Sequence, residues 1–109
     1  MSSGSIEQLS VDEISDIFEK HDSDYVFVDV REPEEWEEGA IPGAVKIPLG
    51  ELNDRLYELD KSKKYIMVCR SGKRSFKACS ILIQNGFENV TNFDGGMLAW
   101  YDEDFPVEN

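Results

Sequence analysis

One histidine and two cysteines in 109 residues leave few places for the commonest catalytic and metal-binding chemistry. The histidine, His21, lies far from either cysteine along the chain, so neither a Cys–His dyad nor a metal site is expected. Cys69 follows an apolar run and Cys79 falls inside a helical pattern, which argues against a structural disulfide between them. Free thiols fit a reducing, cytoplasmic setting. No apolar run approaches membrane-spanning length, and Met1-Ser2-Ser3-Gly4-Ser5 lacks the apolar core of a signal peptide, so no membrane is expected as a partner. Residues 1–4 read equally well as native sequence or as a tag remnant. Basic residues are scarce, 11 against 23 acidic ones, and the net charge of −12 would repel a phosphate backbone, which excludes nucleic acid.

Repeats, linkers and low-complexity tracts are also missing. At 40% hydrophobic and 31% charged, the composition is that of one globular domain, assigned to residues 5–107, which can bury a core unaided. One further absence is local. Residues 61–87 contain no Asp or Glu, yet they hold seven of the 11 basic side chains. A solvated basic face would account for this. The segment also brackets Cys69, where positive charge would favour a thiolate and attract small anions.

The periodicities predict alternating strands and helices. Ser10-Val11-Asp12-Glu13 is a capping box, and Val11, Ile14, Ile17 and Phe18 place a helix over 11–20, with His21 at its end. Tyr25-Val26-Phe27-Val28-Asp29-Val30 is apolar on both faces, as a strand buried in a parallel sheet should be. Pro33 opens a short acidic helix closed by Gly39, and Ile41-Pro42-Gly43-Ala44 has the residues of a type II turn. A short strand is expected over 44–47, a helix over 51–59 and a polar loop over 61–64. Strands at 65–68 and 90–93 are each followed by a glycine-containing turn and a helix. Asn85-Gly86 ends the first of those helices, and Met97, Leu98, Ala99 and Trp100 belong to the second. The fold class is therefore α/β, with a mainly parallel central sheet flanked by helices. Ligands in such sheets sit beyond the carboxyl ends of the strands, where Asp29, Arg31 and the stretch 69–74 fall.

The stretch Cys69-Arg70-Ser71-Gly72-Lys73-Arg74-Ser75 carries the chemistry. A cysteine between a strand and a helix faces unpaired backbone N–H groups and the positive end of the helix dipole, both of which favour its nucleophilic thiolate. Gly72-Lys73 is not a nucleotide loop, because Met67 and Arg74 stand where that motif needs glycine and Ser or Thr. Cysteine-based phosphatases place five residues between Cys and Arg. Here only four separate Cys69 from Arg74, and the tighter ring suits one added sulfur atom better than a phosphoryl group.

These residues resemble the Cys-Arg-x-Gly-x-Arg-Ser loop of the rhodanese-like sulfurtransferases. Three further motifs match in order: Asp29-Val30-Arg31-Glu32-Pro33-Glu34-Glu35-Trp36, then Gly39-Ala40-Ile41-Pro42-Gly43-Ala44, then Gly95-Gly96 with Ala99-Trp100. One position departs from the pattern, since Ala40 replaces the family's usual histidine. That change bears on substrate preference or local packing.

The resemblance implies a rhodanese-like fold and a thiosulfate sulfurtransferase activity, with Cys69 as catalytic nucleophile and a covalent persulfide instead of a cofactor. A small anionic donor such as thiosulfate would supply the sulfur, and cyanide, a thiol or a protein acceptor would remove it in a two-step reaction. The N–H groups of residues 70–74 would stabilise the anionic sulfur, and Arg70, Lys73 and Arg74 would orient the donor. Arg74 could instead make a structural bond, and Arg70 could be merely solvated. Asp29 is expected to fix its loop by hydrogen bonds. Arg31 is expected to line the pocket or to pair with Glu34 or Glu35. Cys79, Trp36 and Trp100 are expected in the core. Two alternatives remain: a persulfide carrier or redox-sensing module acting on a partner protein, and a cysteine-based phosphatase.

Overall fold

A computed structural model of the chain describes residues 6–109. The domain start at Ser5 and the origin of residues 1–4 lie outside the described residues. In chain order the elements are β1 (Glu7–Leu9), α1 (Val11–Lys20), β2 (Tyr25–Asp29), α2 (Pro33–Trp36), β3 (Val45–Lys46), β4 (Lys64–Val68), α3 (Lys73–Gln84), β5 (Val90–Phe93) and α4 (Gly96–Asp102). Two 3-10 helices, Leu49–Glu51 and Asn53–Glu58, lie between β3 and β4. The five strands form one sheet in the order β1-β5-β4-β2-β3, and every pairing is parallel.

Alternation along β4 explains which residues reach the site. Successive side chains of a strand point to opposite faces. Tyr65, Met67 and then Cys69 join Ala78, Cys79 and Leu82 of α3 in one core cluster. Ile66 and Val68 join Ile14, Phe93, Met97 and Trp100 in the other. The central strands are thus covered on both faces, which is why they read as unbroken apolar runs. Trp100 anchors the second cluster, fully buried, with its Nε1 donating to the Pro106 carbonyl at 2.7 Å. Phe18 and Phe93 meet its ring edge-on.

Local signals behave as their chemistry requires. Glu13 Oε1 accepts from the Ser10 N–H at 3.0 Å, closing the capping box of α1. Gly43 has φ +81°, and the Ala44 N–H donates to the Ile41 carbonyl, as in a type II turn. At the end of α3 the N–H groups of Phe87 and Gly86 donate to Leu82 and Ile83, a Schellman closure around Gly86.

Three details differ from the sequence expectations. The segment over 51–59 is 3-10 instead of α-helical: Leu52, Arg55 and Leu59 donate their N–H groups to carbonyls three residues back, at Leu49, Leu52 and Leu56. Lys64 belongs to β4 and not to the preceding loop, since its N–H is held by the Asp24 carbonyl and it pairs with Tyr25. The strand β1 was not expected at all. Its three residues are mostly exposed and polar, and only the edge of β5 makes them a strand. Among the described residues no helix is long and apolar enough to cross a membrane.

Candidate active site

The loop after β4 is built around a sulfur atom. Gly72 caps α3 with φ +96°, a conformation that side chains other than glycine's adopt only under strain. A Cβ there would also crowd the Phe93 carbonyl and the Gly95 nitrogen at 3.3 Å. From the other side α4 grips the loop, with the Met97 N–H donating to the Cys69 carbonyl at 2.9 Å and Leu98 N–H to the Arg70 carbonyl at 3.0 Å. This grip explains Gly95-Gly96. A Cβ on Gly96 would lie 2.5 Å from both of those carbonyl oxygens, so nothing larger than glycine lets the two backbones meet.

With both carbonyls turned toward α4, the loop's N–H groups face inward. Cys69 Sγ receives the Gly72 N–H at 3.1 Å and the Ser75 N–H at 3.3 Å, with the Ser75 hydroxyl also at 3.3 Å. The residue is 1% exposed. Burial alone pushes the thiol pKa up. The Ser75 hydroxyl and the N–H groups of Ser75, Gly72 and Ser71 outweigh it and bring the value below that of an ordinary thiol. Hydrogen bonds to the sulfur, more than the neighbouring cations, therefore account for the favoured thiolate.

The cations are placed in three different ways. Arg74 forms a two-pronged pair with Glu35 of α2, at 2.7 and 2.9 Å. The Glu35 carboxylate also accepts the Glu32 N–H at 3.0 Å. Hydrogen bonding to Arg74 is the main reason its pKa falls to about 2. Arg70 is exposed and lies 3.8 Å from Glu38. Lys73 is exposed and makes no ion pair among the described residues. The acidic residues of and just after α2 thus partner the arginines of the loop. Ser71 is exposed, whereas Ser75 is fully buried beneath the sulfur.

Asp29 and Arg31 are placed behind the site as a buried pair, not as its lining. Arg31 donates through Nε and Nη2 to Asp29, through Nη2 to the Gly39 carbonyl at 3.0 Å and through Nη1 to the Tyr101 hydroxyl at 3.1 Å. Its partner is therefore Asp29, not Glu34 or Glu35. Asp29 fixes its own loop as expected, accepting the Arg31 N–H at 3.1 Å. Removing either member of such a pair would strand a buried charge. Ala40 is fully buried and exchanges two backbone hydrogen bonds with Glu108, both at 2.8 Å. The departure from the family histidine thus sits in packing against the carboxyl-terminal segment.

Cys79 lies on α3 with no exposed surface, and burial pushes its thiol up to about 12. Trp36 is only half-buried, and its Nε1 has no hydrogen-bond partner among the described residues. Sequence reasoning passed over Asn92 of β5. Its side chain accepts from the Ser75 hydroxyl and donates to the Gly72 carbonyl. An asparagine inside a strand, where that residue type is disfavoured, was the available signal. It also missed the pairing of Glu35 with Arg74, which only the fold brings together.

Comparison with known proteins agrees with the geometry. The rhodanese-like domain family matches residues 10–103. A protein of Bacillus subtilis (strain 168) that carries the name of a sulfurtransferase, YtwF, is 46% identical over 85 residues, covering 78% of this chain and 82% of its own. A protein of Allochromatium vinosum named a sulfurtransferase is 38% identical over 84 residues, covering 77% and 78%. The crystal structure of a rhodanese-like domain protein from Staphylococcus aureus superimposes with a TM-score of 0.84 at 34% identity, over 95% of this chain and all of the other.

Proposed function

The chain belongs to the rhodanese-like family, whose relatives are named for sulfur transfer, and on that premise we propose that Cys69 is the atom carrier of a two-step sulfurtransferase. The observation that carries this reading is the crown of donors around Cys69 Sγ: two backbone N–H groups and one hydroxyl within 3.3 Å. In the first step the thiolate attacks the outer sulfur of the donor. A Cys69 S–S bond forms, and the donor's own bond to that sulfur breaks, its electron pair leaving on the departing group. Thiosulfate fits as donor, with sulfite departing. Lys73 and Arg70, exposed beside the loop, would attract such an anion.

The persulfide anion so formed keeps the charge inside the loop, where fixed amide dipoles stabilise it without reorganising. In the second step a nucleophile attacks the outer sulfur, and the Cys69 thiolate returns. Cyanide serves in an assay, and a small thiol or a protein thiol is the expected acceptor. No metal or organic cofactor is required by this sequence of steps. Two-pronged pairing of Arg74 with Glu35 weighs against phosphatase chemistry, which would use that guanidinium on the phosphoryl group.

The test is intact-mass analysis after exposure to thiosulfate, followed by addition of cyanide. The expected result is a gain of one sulfur atom mapped to Cys69, lost on cyanide addition with equimolar thiocyanate released. No gain of sulfur would overturn the reading. Sulfur that loads but leaves only for a protein acceptor would identify a carrier in place of a small-molecule transferase.

A further inference from the structure

Asn92 stands on β5 at 1% exposure, and three hydrogen bonds fix its amide. Nδ2 donates to the Gly72 carbonyl at 3.0 Å and to Gln8 Oε1 at 2.9 Å. Oδ1 accepts from the Ser75 hydroxyl at 2.5 Å. A backbone carbonyl can only accept, so turning the amide over would set oxygen against oxygen at Gly72. The oxygen of Asn92 is therefore committed to Ser75.

Ser75 Oγ also lies 3.3 Å from Cys69 Sγ. A hydroxyl has one proton, so it can serve Asn92 or a thiolate but not both at once. In the thiol state Sγ–H donates to Ser75 Oγ and Ser75 donates to Asn92, and every group is partnered. When the thiol loses its proton to solvent, the Ser75 proton turns to the charged sulfur, leaving Asn92 Oδ1 buried without a donor. When that thiolate takes a sulfur atom, its S–S bond forms, the donor's bond breaks and the negative charge moves to the outer sulfur. Sγ becomes a weak, neutral acceptor. The Ser75 proton then returns to Asn92.

We propose that Asn92 is a positioning residue that, acting through the single proton of Ser75, favours the sulfur-loaded state of Cys69 over the free thiolate. The proposal rests on the persulfide reading above. The other titratable groups at the sulfur are Arg74 and Cys79 of α3, with Glu35 of α2 behind Arg74. The Asn92 side chain hydrogen-bonds to none of them.

The experiment is a double-mutant cycle of Asn92→Ala and Ser75→Ala on a Cys79→Ala background, read by the ultraviolet titration of the Cys69 thiolate. Asn92→Ala frees the Ser75 proton for the thiolate and should lower the Cys69 midpoint by roughly half a unit, about threefold in the equilibrium. In the Ser75→Ala protein the same change should shift nothing. A second readout is sulfur occupancy by mass at a fixed ratio of a small persulfide to its thiol, above the midpoint. There Asn92→Ala should reduce loading about threefold, again only when Ser75 is present. Asn92→Leu, close to asparagine in shape and without an acceptor for Ser75, replaces the alanine variant if that fails to fold. An equal shift with and without the Ser75 hydroxyl, or a raised midpoint, would mean that Asn92 merely anchors Gly72 and would overturn the proposal. A parent protein that takes up no sulfur would overturn the persulfide reading and this proposal together. Normal loading without coupling would overturn this proposal alone.

Discussion

Cys69 and Cys79 are the same side chain, ten residues apart, and both are buried in one core cluster. Their chemistry is nonetheless opposite. At Cys79 burial dominates and the thiol is pushed up to about 12, with a further push from the charge on Cys69. At Cys69 the burial penalty is also the largest single effect, yet three N–H groups and a hydroxyl reverse it. The difference lies in the backbone each occupies. Cys79 is in the middle of α3, where every nearby N–H is already spent on the helix. Cys69 precedes the helix, where the first N–H groups have no carbonyl of their own to meet. A buried thiol is favoured as its thiolate here because of unspent donors, and exposure plays little part.

The largest test of that contrast is to exchange the two residues' consequences. Cys69→Ser should abolish thiocyanate formation, a loss of at least about a thousandfold if the nucleophile is essential. Cys79→Ala should leave the rate within about twofold and cost about 1 kcal/mol of stability for the small cavity it opens. Equal turnover in both variants would refute the assignment. The two thiols should also act oppositely on stability as pH changes. Cys79 has a raised pKa when folded, so its contribution is complete below the ordinary value of 9.0 and is lost as pH rises toward about 12. Cys69 has a lowered one, so its contribution is complete above 9.0 and is lost as pH falls through the folded value. Titrating stability across this range in Cys69→Ser and Cys79→Ala separates the two slopes.

A second test reaches the donors without touching either sulfur. Gly96 has φ +58° and no room for a Cβ against the Cys69 and Arg70 carbonyls. Gly96→Ala should push α4 off those carbonyls and cost about 3 kcal/mol, combining left-handed strain with the clash. With the carbonyls released, the loop's N–H groups no longer converge. Cys69 should then titrate like an ordinary buried thiol, and activity should fall about a hundredfold. Unchanged thiolate formation in a folded Gly96→Ala protein would show that α4 does not organise the loop.

How much of this was legible beforehand follows from how local each cause is. The capping box at Ser10, the type II turn at Pro42-Gly43 and the strand–loop–helix at Cys69 depend on neighbours within a few residues, and all were read from the chain. The sheet's central strands announced themselves by apolar runs. The edge strand at Glu7–Leu9 did not, because its structure comes from β5 and not from its own residues. The site divides the same way. The loop motif names Cys69, but the clamp from Gly96, the hydrogen bonds of Asn92 and the pairing of Glu35 with Arg74 join residues between 17 and 84 positions apart. The ion pair of Arg31, expected with Glu34 or Glu35, escaped for a related reason. Its side chain folds back on Asp29 two residues earlier, into a core that only the closed fold creates.

The smallest expected effect concerns the one arginine of the loop that α2 holds. Glu35 is four-fifths buried on its side chain, and Arg74 binds it through Nη1 and Nη2. The lowered pKa of Glu35, about 2 against an ordinary 4.5, means that its stabilising pair is complete above pH 4.5 and is lost as pH falls toward 2. Because Arg74 is partly exposed, solvent screening reduces the pair to about 1 kcal/mol. Glu35→Gln should therefore lower stability by about that amount at neutral pH and by almost nothing near pH 2. The same change leaves the Arg74 charge uncompensated beside Cys69, which should lower the thiolate midpoint slightly and widen the gap between the two cysteines. It should also raise the apparent affinity for thiosulfate, since the guanidinium is then available to an anion. A weaker affinity in Glu35→Gln would show instead that Glu35 holds Arg74 in the posture the donor needs, and that the acidic helix completes the site instead of restraining it.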